Sequence, residues 1–159
     1  RGFPMAATSI ALWENGAPIL GVVHHLFDDH VFYSYKEYGA WLNNKQISVS
    51  TIKEISEAIL VTGFPSGSRY DSDTLNQFVK DAQNYKKLRM LGSAALMLCY
   101  VSRGIFDVYS EKDIYIWDVA AGLAIISEAG GMYLKEPGSS IFKFNVIASN
   151  SYLIDKLHC

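Results

Sequence analysis

The feature that most constrains the fold is a segment of helix length that is apolar on nearly every side. It begins near Asp118 and runs through Leu123 and Ile126 to the pair Gly130-Gly131, which is a typical helix stop. A helix without a polar face is buried rather than laid on the protein surface. The carboxylate of Asp118 at its start is therefore the residue to explain. A lone Asp at a helix start is usually the N-cap, because its side chain accepts hydrogen bonds from unpaired backbone N–H groups. The alternative is that Asp118 binds a metal ion or another ligand.

The hydrophobic pattern divides the chain into two parts. Over residues 5 to about 47 the sequence alternates as strands do, and Asn15-Gly16 is a strong hairpin signal. After Ser48, segments with strand and helix patterns follow one another, which is an α/β order. We therefore predict a mixed α/β (α+β) fold, with an antiparallel β meander in residues 1–50 and an α/β part in residues 51–159.

One predicted helix, over residues 73–85, carries a clear apolar stripe. Leu75, Phe78 and Val79 recur there at helical spacing, while Asp73 lies on the other side. We expect the apolar face of this helix to pack in the core.

Composition excludes several classes of protein. The chain has 159 residues, of which 50% are hydrophobic, enough for a sizeable core in one domain. Its net charge is −2 and the charged residues are scattered, so neither nucleic acid nor a membrane is predicted as a partner. The longest apolar stretches are far shorter than the roughly 18 residues that span a bilayer. Cys99 and Cys159 form no disulfide or metal-ligand pattern, so a cytoplasmic location is expected.

A series of short motifs, in order along the chain, resembles a known family. The motifs are Gly92-Ser93-Ala94-Ala95, Gly104, Asp107, Glu111, Trp117-Asp118 and Glu128-Ala129-Gly130-Gly131, preceded by Arg1-Gly2-Phe3-Pro4, Gly39-Ala40-Trp41-Leu42-Asn43 and Thr62-Gly63-Phe64-Pro65. Taken together they cover almost the whole chain. In this order they resemble the inositol monophosphatase family of magnesium-dependent, lithium-sensitive phosphatases.

The resemblance implies a fold, a reaction and a cofactor. The fold would be a layered αβαβα sandwich, truncated here at its N-terminus, and the complete enzyme would be a homodimer. The reaction would be hydrolysis of myo-inositol 1-phosphate or a similar polyol phosphate by a metal-activated water, with Mg²⁺ as cofactor and lithium as inhibitor. Related sugar-bisphosphatases and nucleotide 3′-phosphatases share this fold and are alternatives.

The resemblance also implies roles for five residues. Asp118 would be a Mg²⁺ ligand that also orients the substrate. Glu111 matches the position that contacts the inositol ring, and a solvated loop glutamate is the alternative. Gly92 and Ala94 would let the substrate approach backbone N–H groups. Ser93 is either a substrate contact or simply the N-cap of a helix.

The departure from the family pattern concerns the metal site. In the family, the segment that resembles Arg1-Gly2-Phe3-Pro4 follows an Asp-Pro-Ile-Asp-Gly-Thr metal loop, and a paired-Glu motif lies further upstream; neither occurs in this sequence. Mg²⁺ takes six oxygen ligands, so Asp118 alone is a poor site. The 159-residue chain is therefore expected to be inactive by itself, and a non-catalytic binding or regulatory module is the alternative function.

A second group of potential metal ligands is interpreted as structural. His24, His25, Asp28, Asp29 and His30 fall within seven positions. Since neighbouring residues of a strand point to opposite faces, His24 and His25 cannot easily share one ion. We interpret this segment as a hairpin turn.

Four other residues carry no catalytic prediction. Trp117 is expected to anchor the core beside Asp118. Asp107 is expected to be either a strand-end group or a group that supports the site residues without touching the substrate. Ser66 and Ser68 lie where the family has a substrate-side loop, but their spacing does not align, so no role is predicted for them.

Overall fold

The computed structural model describes residues 2–64 and 71–158, which form two five-stranded sheets and three α-helices. The strands are β1 (Ala7–Glu14), β2 (Ala17–His25), β3 (His30–Tyr35), β4 (Ala40–Leu42), β5 (Lys45–Ile47), β6 (Ile59–Thr62), β7 (Lys87–Arg89), β8 (Val108–Tyr115), β9 (Gly131–Pro137) and β10 (Lys143–Asn150). The helices are α1 (Ser72–Ala82), α2 (Ala94–Ser102) and α3 (Ile116–Glu128), and short 3₁₀ turns span Ile55–Glu57 and Ile154–Lys156. Ser66, Ser68 and Cys159 lie outside the described residues.

The first sheet is an antiparallel meander in the order β1-β2-β3-β4-β5. Asn15 and Gly16 connect β1 to β2, and both have positive φ, at 51° and 78°. Such a turn matches the twist of the two strands it joins, which is why Asn-Gly is a strong hairpin signal. The hairpin predicted at this position is present.

The second sheet is mixed and has the order β7-β6-β8-β10-β9. Strand β6 is parallel to both β7 and β8, while β10 runs antiparallel to β8 and β9. The mixed α/β architecture predicted from the sequence is therefore confirmed.

The position of helix α3 explains why it is apolar on nearly every side. Together with α2, it contributes residues to two hydrophobic clusters. Ala121 and Ile125 pack with Val23 and Phe32 of the first sheet. On the other side of the helix, residues that include Val119, Leu123 and Ile126 pack with Tyr109, Val146 and Ala148 of the second sheet. A helix between two sheets has no solvent face to make polar, in agreement with the prediction of a buried helix.

Two glycines allow this close packing. A Cβ on Gly21 would lie 2.4 Å from the carbonyl oxygen of Ala121, so β2 and α3 approach too closely for any side chain there. A Cβ on Gly122 would lie 2.5 Å from the Cβ of Leu98, which brings α3 against α2. The helix layer thus holds the two sheets together through one continuous core, and the division at residue 50 into two domains stays a prediction.

Helix α1 differs from its prediction. It has no buried residue; Leu75 is 41% exposed and Val79 is 51% exposed. The expected packing of its apolar face in the core is therefore wrong, although its N-cap is regular, with the Asp71 side chain accepting from the N–H of Thr74 at 2.8 Å. Within the described part of the chain, we find no helix with the length and apolarity needed to cross a membrane.

Candidate functional site

Asp118 lies in the first turn of α3 but does not cap it. The helix begins at Ile116, and its N-cap is Tyr115, whose side chain makes no capping hydrogen bond. The N-cap alternative for Asp118 is therefore wrong. Asp118 is half-buried, and this burial raises the pKa of its carboxyl group. A helix N-terminus by itself would lower that pKa, so desolvation decides the direction.

Glu111 lies within strand β8 and is buried, so the alternative of a solvated loop glutamate is wrong. Its neighbour on the same face of the strand is Tyr109, whose hydroxyl donates a hydrogen bond of 2.5 Å to Oε2. Burial is the main cause that raises the pKa of Glu111; the negative charge of Asp118 raises it further, and the bond from Tyr109 opposes both. The hydroxyl therefore supports an ionised carboxylate in an apolar setting.

Gly63, which follows β6, lies against this carboxylate. A Cβ at position 63 would lie 1.8 Å from Oε1 of Glu111, so any other residue would displace the carboxylate. Sequence reasoning missed both Gly63 and Tyr109 as site residues. The alternation of a strand could have pointed to Tyr109, since residues two apart share a face, whereas nothing local in the sequence places Gly63 beside Glu111.

The three small residues that are predicted to contact the substrate lie at the start of α2. Gly92 has a φ of 79°, which glycine adopts without strain, and Ala94 is the first residue of the helix. Ser93 is the N-cap, and its Oγ accepts from the N–H of Leu96 at 3.5 Å. The N-cap role of Ser93 is confirmed, while substrate contact by Gly92, Ser93 and Ala94 stays a prediction. Ala94 packs on the cluster that holds Tyr109, so this helix start is close to β8.

Glu111 and Asp118 form what we call the carboxylate pair. The negative charge of Asp118 raises the pKa of Glu111, so the two carboxylates lie near each other. A cation between them would favour both ionised forms. Both groups offer oxygen, the ligand atom that Mg²⁺ prefers. The residues therefore fit a hard divalent cation, and the role of Asp118 as its ligand stays a prediction.

The prediction for Trp117 is wrong, and that for Asp107 is correct. Trp117 is 55% exposed and stacks on Tyr115 with ring centroids 4.5 Å apart, so it does not anchor the core. Its neighbour Ile116 turns inward instead and packs on the cluster of the second sheet. Asp107 is a buried strand-end group whose Oδ2 accepts from the N–H of Ile59 at 2.7 Å.

A cavity of about 1130 Å³ lies between α1 and the second sheet. Thr62, Gly63 and Glu111 line one part of it, and Leu60 and Ile147 line the sheet side. Asp118 is not among the residues that line it. The cavity therefore reaches Glu111 but does not contain the carboxylate pair.

The fold and the site together define a layered α/β protein with an acidic centre between a strand and a helix start. The model of the inositol monophosphatase family matches residues 1–159. The chain belongs to the inositol monophosphatase family.

Curated relatives and solved structures agree with this family. The chain is 39% identical over 156 residues, 98% of its length, to a protein of Aquifex aeolicus named fructose-1,6-bisphosphatase/inositol-1-monophosphatase, and covers 59% of that relative. It is 40% identical over 133 residues, 82% of its length, to the Nus factor SuhB of Xylella fastidiosa, and covers 48% of it. The structure of an inositol monophosphatase from Anabaena (Nostoc) superposes with a TM-score of 0.87 at 35% identity, over 96% of this chain and 62% of that one.

The chain thus spans about half to three-fifths of the length of these relatives. The resemblance drawn from the sequence motifs is confirmed at the level of family and fold.

Proposed function

We propose that this chain carries the substrate-side part of the active site of a Mg²⁺-dependent phosphomonoesterase that acts on myo-inositol 1-phosphate or a similar polyol phosphate. Membership of the inositol monophosphatase family supports a phosphatase with a divalent metal. The observation that carries the proposal is the carboxylate pair, in which a buried Glu111 and the helix-start Asp118 lie within electrostatic reach of each other. Two neighbouring acidic groups favour a bound cation, because a positive charge offsets their mutual repulsion.

Each residue has a distinct role in this proposal. Asp118 would hold Mg²⁺, which when bound neutralises phosphate charge and makes a water nucleophilic near neutral pH. Glu111 would accept hydrogen bonds from polyol hydroxyls, since an ionised carboxylate only accepts. Tyr109 is a positioning residue, because its hydroxyl fixes one oxygen of Glu111 and leaves Oε1 for the substrate. The N–H groups at the start of α2, at Ser93 and Ala94, would face the phosphate or the polyol.

The substrate class follows from the charge at Glu111. A buried carboxylate attracts hydroxyl donors and repels a second phosphate group. We therefore favour a polyol monophosphate over a sugar bisphosphate, although one relative is named for both activities. Lithium inhibition, a homodimeric complete enzyme and a cytoplasmic location belong to the same proposal.

A second candidate is a role without turnover. The Xylella fastidiosa relative is named Nus factor SuhB, which is not an enzyme name. Asp118 alone is also a poor Mg²⁺ site, because Mg²⁺ takes six oxygens in near-octahedral array. We therefore expect the 159-residue chain alone to release little phosphate.

The test uses a hybrid in which this chain replaces the matching part of the Aquifex aeolicus relative. With Mg²⁺ and inositol 1-phosphate, the hybrid is expected to release phosphate, and Asp118→Asn to lower kcat/KM by about 100-fold or more, the size of effect seen when a key electrostatic group is removed. Asp73→Asn is the matched control, since Asp73 is a first-turn acid of another helix. A folded hybrid with no Mg²⁺-dependent phosphate release would favour the role without turnover.

Glu111→Gln tests the substrate assignment in the same hybrid. For a polyol monophosphate we expect KM to rise, while for fructose 1,6-bisphosphate we expect it to fall because a repelling charge is removed. An increase in KM for both substrates would leave Glu111 as a contact but would contradict the charge argument.

A further inference from the structure

The turn between β2 and β3 brings together three side chains that the proposed function does not use. We call His25, Asp28 and His30 the hairpin cluster. Nδ1 of His25 lies 3.0 Å from Oδ2 of Asp28, and Nδ1 of His30 lies 3.9 Å from the same oxygen. One nitrogen or oxygen atom from each of the three residues lies within 4.8 Å of the other two.

Strand pairing explains why this cluster escaped the sequence prediction. His24 and His25 do point to opposite faces, as expected, and His24 is not a member. The second imidazole comes instead from across the hairpin, because His25 and His30 are direct partners in the register of β2 and β3. Residues opposite each other on antiparallel strands share a face, so the two rings meet over the turn that carries Asp28.

The surroundings of His25 indicate that a positive centre, either a proton on Nδ1 or a metal ion, lies between this ring and Asp28. Its Nε2 lies 2.9 Å from the carbonyl oxygen of Pro4, which can only accept, so Nε2 carries the hydrogen. In the neutral ring Nδ1 then carries a lone pair, and it lies 3.0 Å from Oδ2 of Asp28. Nδ1 is buried, and among the described residues no atom makes a hydrogen bond to it. Two acceptor atoms this close repel each other unless a proton or a metal ion lies near both.

We propose that the hairpin cluster binds a transition-metal ion of the Zn²⁺ type through His25, Asp28 and His30. Two imidazoles and a carboxylate suit Zn²⁺ or Co²⁺ rather than Mg²⁺. In a tetrahedral site with bonds of 2.0–2.1 Å, ligand atoms lie about 3.3 Å apart. The two separations from Asp28, 3.0 and 3.9 Å, lie on either side of this value, and the ligand nitrogens of the two imidazoles lie within 4.8 Å of each other, so a small closure would complete the site. The bond from Nε2 to Pro4 fixes the ring as the outer partner of a metal-bound histidine does.

The exposure of the cluster defines the kind of site. His25 is 3% exposed, whereas the side chains of Asp28 and His30 are 52% and 34% exposed. The ion would therefore lie at the surface with its fourth position open to water. Through His25 it would also tie the segment around Pro4 to the hairpin, so binding stabilises the first sheet and is independent of Asp118.

The experiment is titration of the 159-residue chain, freed of metal with a chelator, with Zn²⁺ in the calorimeter and with Co²⁺ in the visible spectrometer. Excess Mg²⁺ is present so that oxygen sites are occupied. We expect one Zn²⁺ per chain and Co²⁺ absorption bands of a four-coordinate site. Asp28→Asn and His30→Ala should each weaken Zn²⁺ binding by about tenfold or more.

Matched controls are adjacent in the sequence. His24→Ala removes an imidazole from the other face, and Asp29→Asn an acid from the same turn; both should bind Zn²⁺ within about twofold of the unsubstituted chain. Asp118→Asn should bind Zn²⁺ normally, which separates this proposal from the proposed phosphatase. Circular dichroism confirms that each variant folds, and Asp28→Asn and Asp29→Asn are the decisive pair because both residues are exposed.

Two results would overturn the proposal. One is the absence of Zn²⁺ binding at about 100 μM metal, which would mean that a proton on His25 supplies the positive centre. The other is an equal loss of binding in Asp28→Asn and Asp29→Asn, which would mean that the ion binds to the turn without the three-residue geometry.

Discussion

The carboxylate pair and the hairpin cluster place acidic groups in opposite surroundings. Glu111 is buried in a strand and bonded to Tyr109, and burial raises the pKa of both Glu111 and Asp118. Asp28, in contrast, is half-exposed on a turn, with imidazole nitrogens as its neighbours. The difference predicts that an all-oxygen site at the carboxylate pair would suit a hard cation and that a nitrogen-rich site at the hairpin cluster would suit a softer one, so the two would not compete for one ion.

The carboxylate pair depends on close backbone packing, which Gly63→Ala would break. Because the added Cβ would lie 1.8 Å from Oε1 of Glu111, the buried carboxylate must move. We expect the free energy of unfolding to fall by about 2 to 3 kcal/mol, as in overpacked cores. Urea unfolding measures the loss.

A double-mutant cycle supplies the control for this prediction. In a Glu111→Ala background the same Gly63→Ala change should cost much less, because the clash is removed. Equal costs in the two backgrounds would contradict the proposed contact.

The hydrogen bond inside the pair can be removed with Tyr109→Phe. Glu111 would then stay buried without its donor, and we expect a loss of about 1.5 kcal/mol in the free energy of unfolding. Tyr133→Phe is the matched control, since Tyr133 packs partly buried against the same cluster. Equal losses for the two variants, measured by urea unfolding at pH 7, would argue against a special role for Tyr109.

The two sites should respond to different ions. We expect Zn²⁺ to raise the Tm of the 159-residue chain through Asp28, and Mg²⁺ to raise the Tm of the hybrid with the Aquifex aeolicus relative through Asp118, each affinity falling about tenfold in the matching variant. Thermal unfolding of the Asp118→Asn and Asp28→Asn variants with each metal measures which Tm increase is lost. A variant that loses both responses would mean that the two sites are one.

The smallest expected effect concerns pH. The pKa of Asp118 is raised by folding, so the folded chain binds the proton more tightly than the unfolded chain, and stability falls as the pH rises above the unfolded value near 4. Without metal, Asp118→Asn should therefore gain stability at pH 7, by less than about 1 kcal/mol since the group is half-exposed. At pH 3, where the carboxyl is protonated in both states, the gain should vanish; chemical unfolding at the two pH values measures it.

Much of the fold follows from local pattern. The Asn15-Gly16 hairpin, the meander and the buried helix were predictable because turn chemistry and hydrophobic period act within a few residues. Helix α1 was predicted as an element, but the exposure of Leu75 and Val79 was not. An amphipathic stripe predicts which face seeks an apolar partner, and only the neighbouring elements decide whether one is there.

The sequence by itself determined the family and the mixed α/β order, and it singled out Asp118 and Glu111 as candidate site residues. It could do so because the order of motifs and the hydrophobic period are properties of the linear sequence. Tertiary structure alone decided the surroundings of those acids. Contact between Gly63 and Glu111 joins residues 48 positions apart, and the meeting of His25 with His30 depends on strand register. The charge state and the metal preference of a side chain depend on such neighbours, since desolvation and hydrogen bonds act through space and not along the sequence.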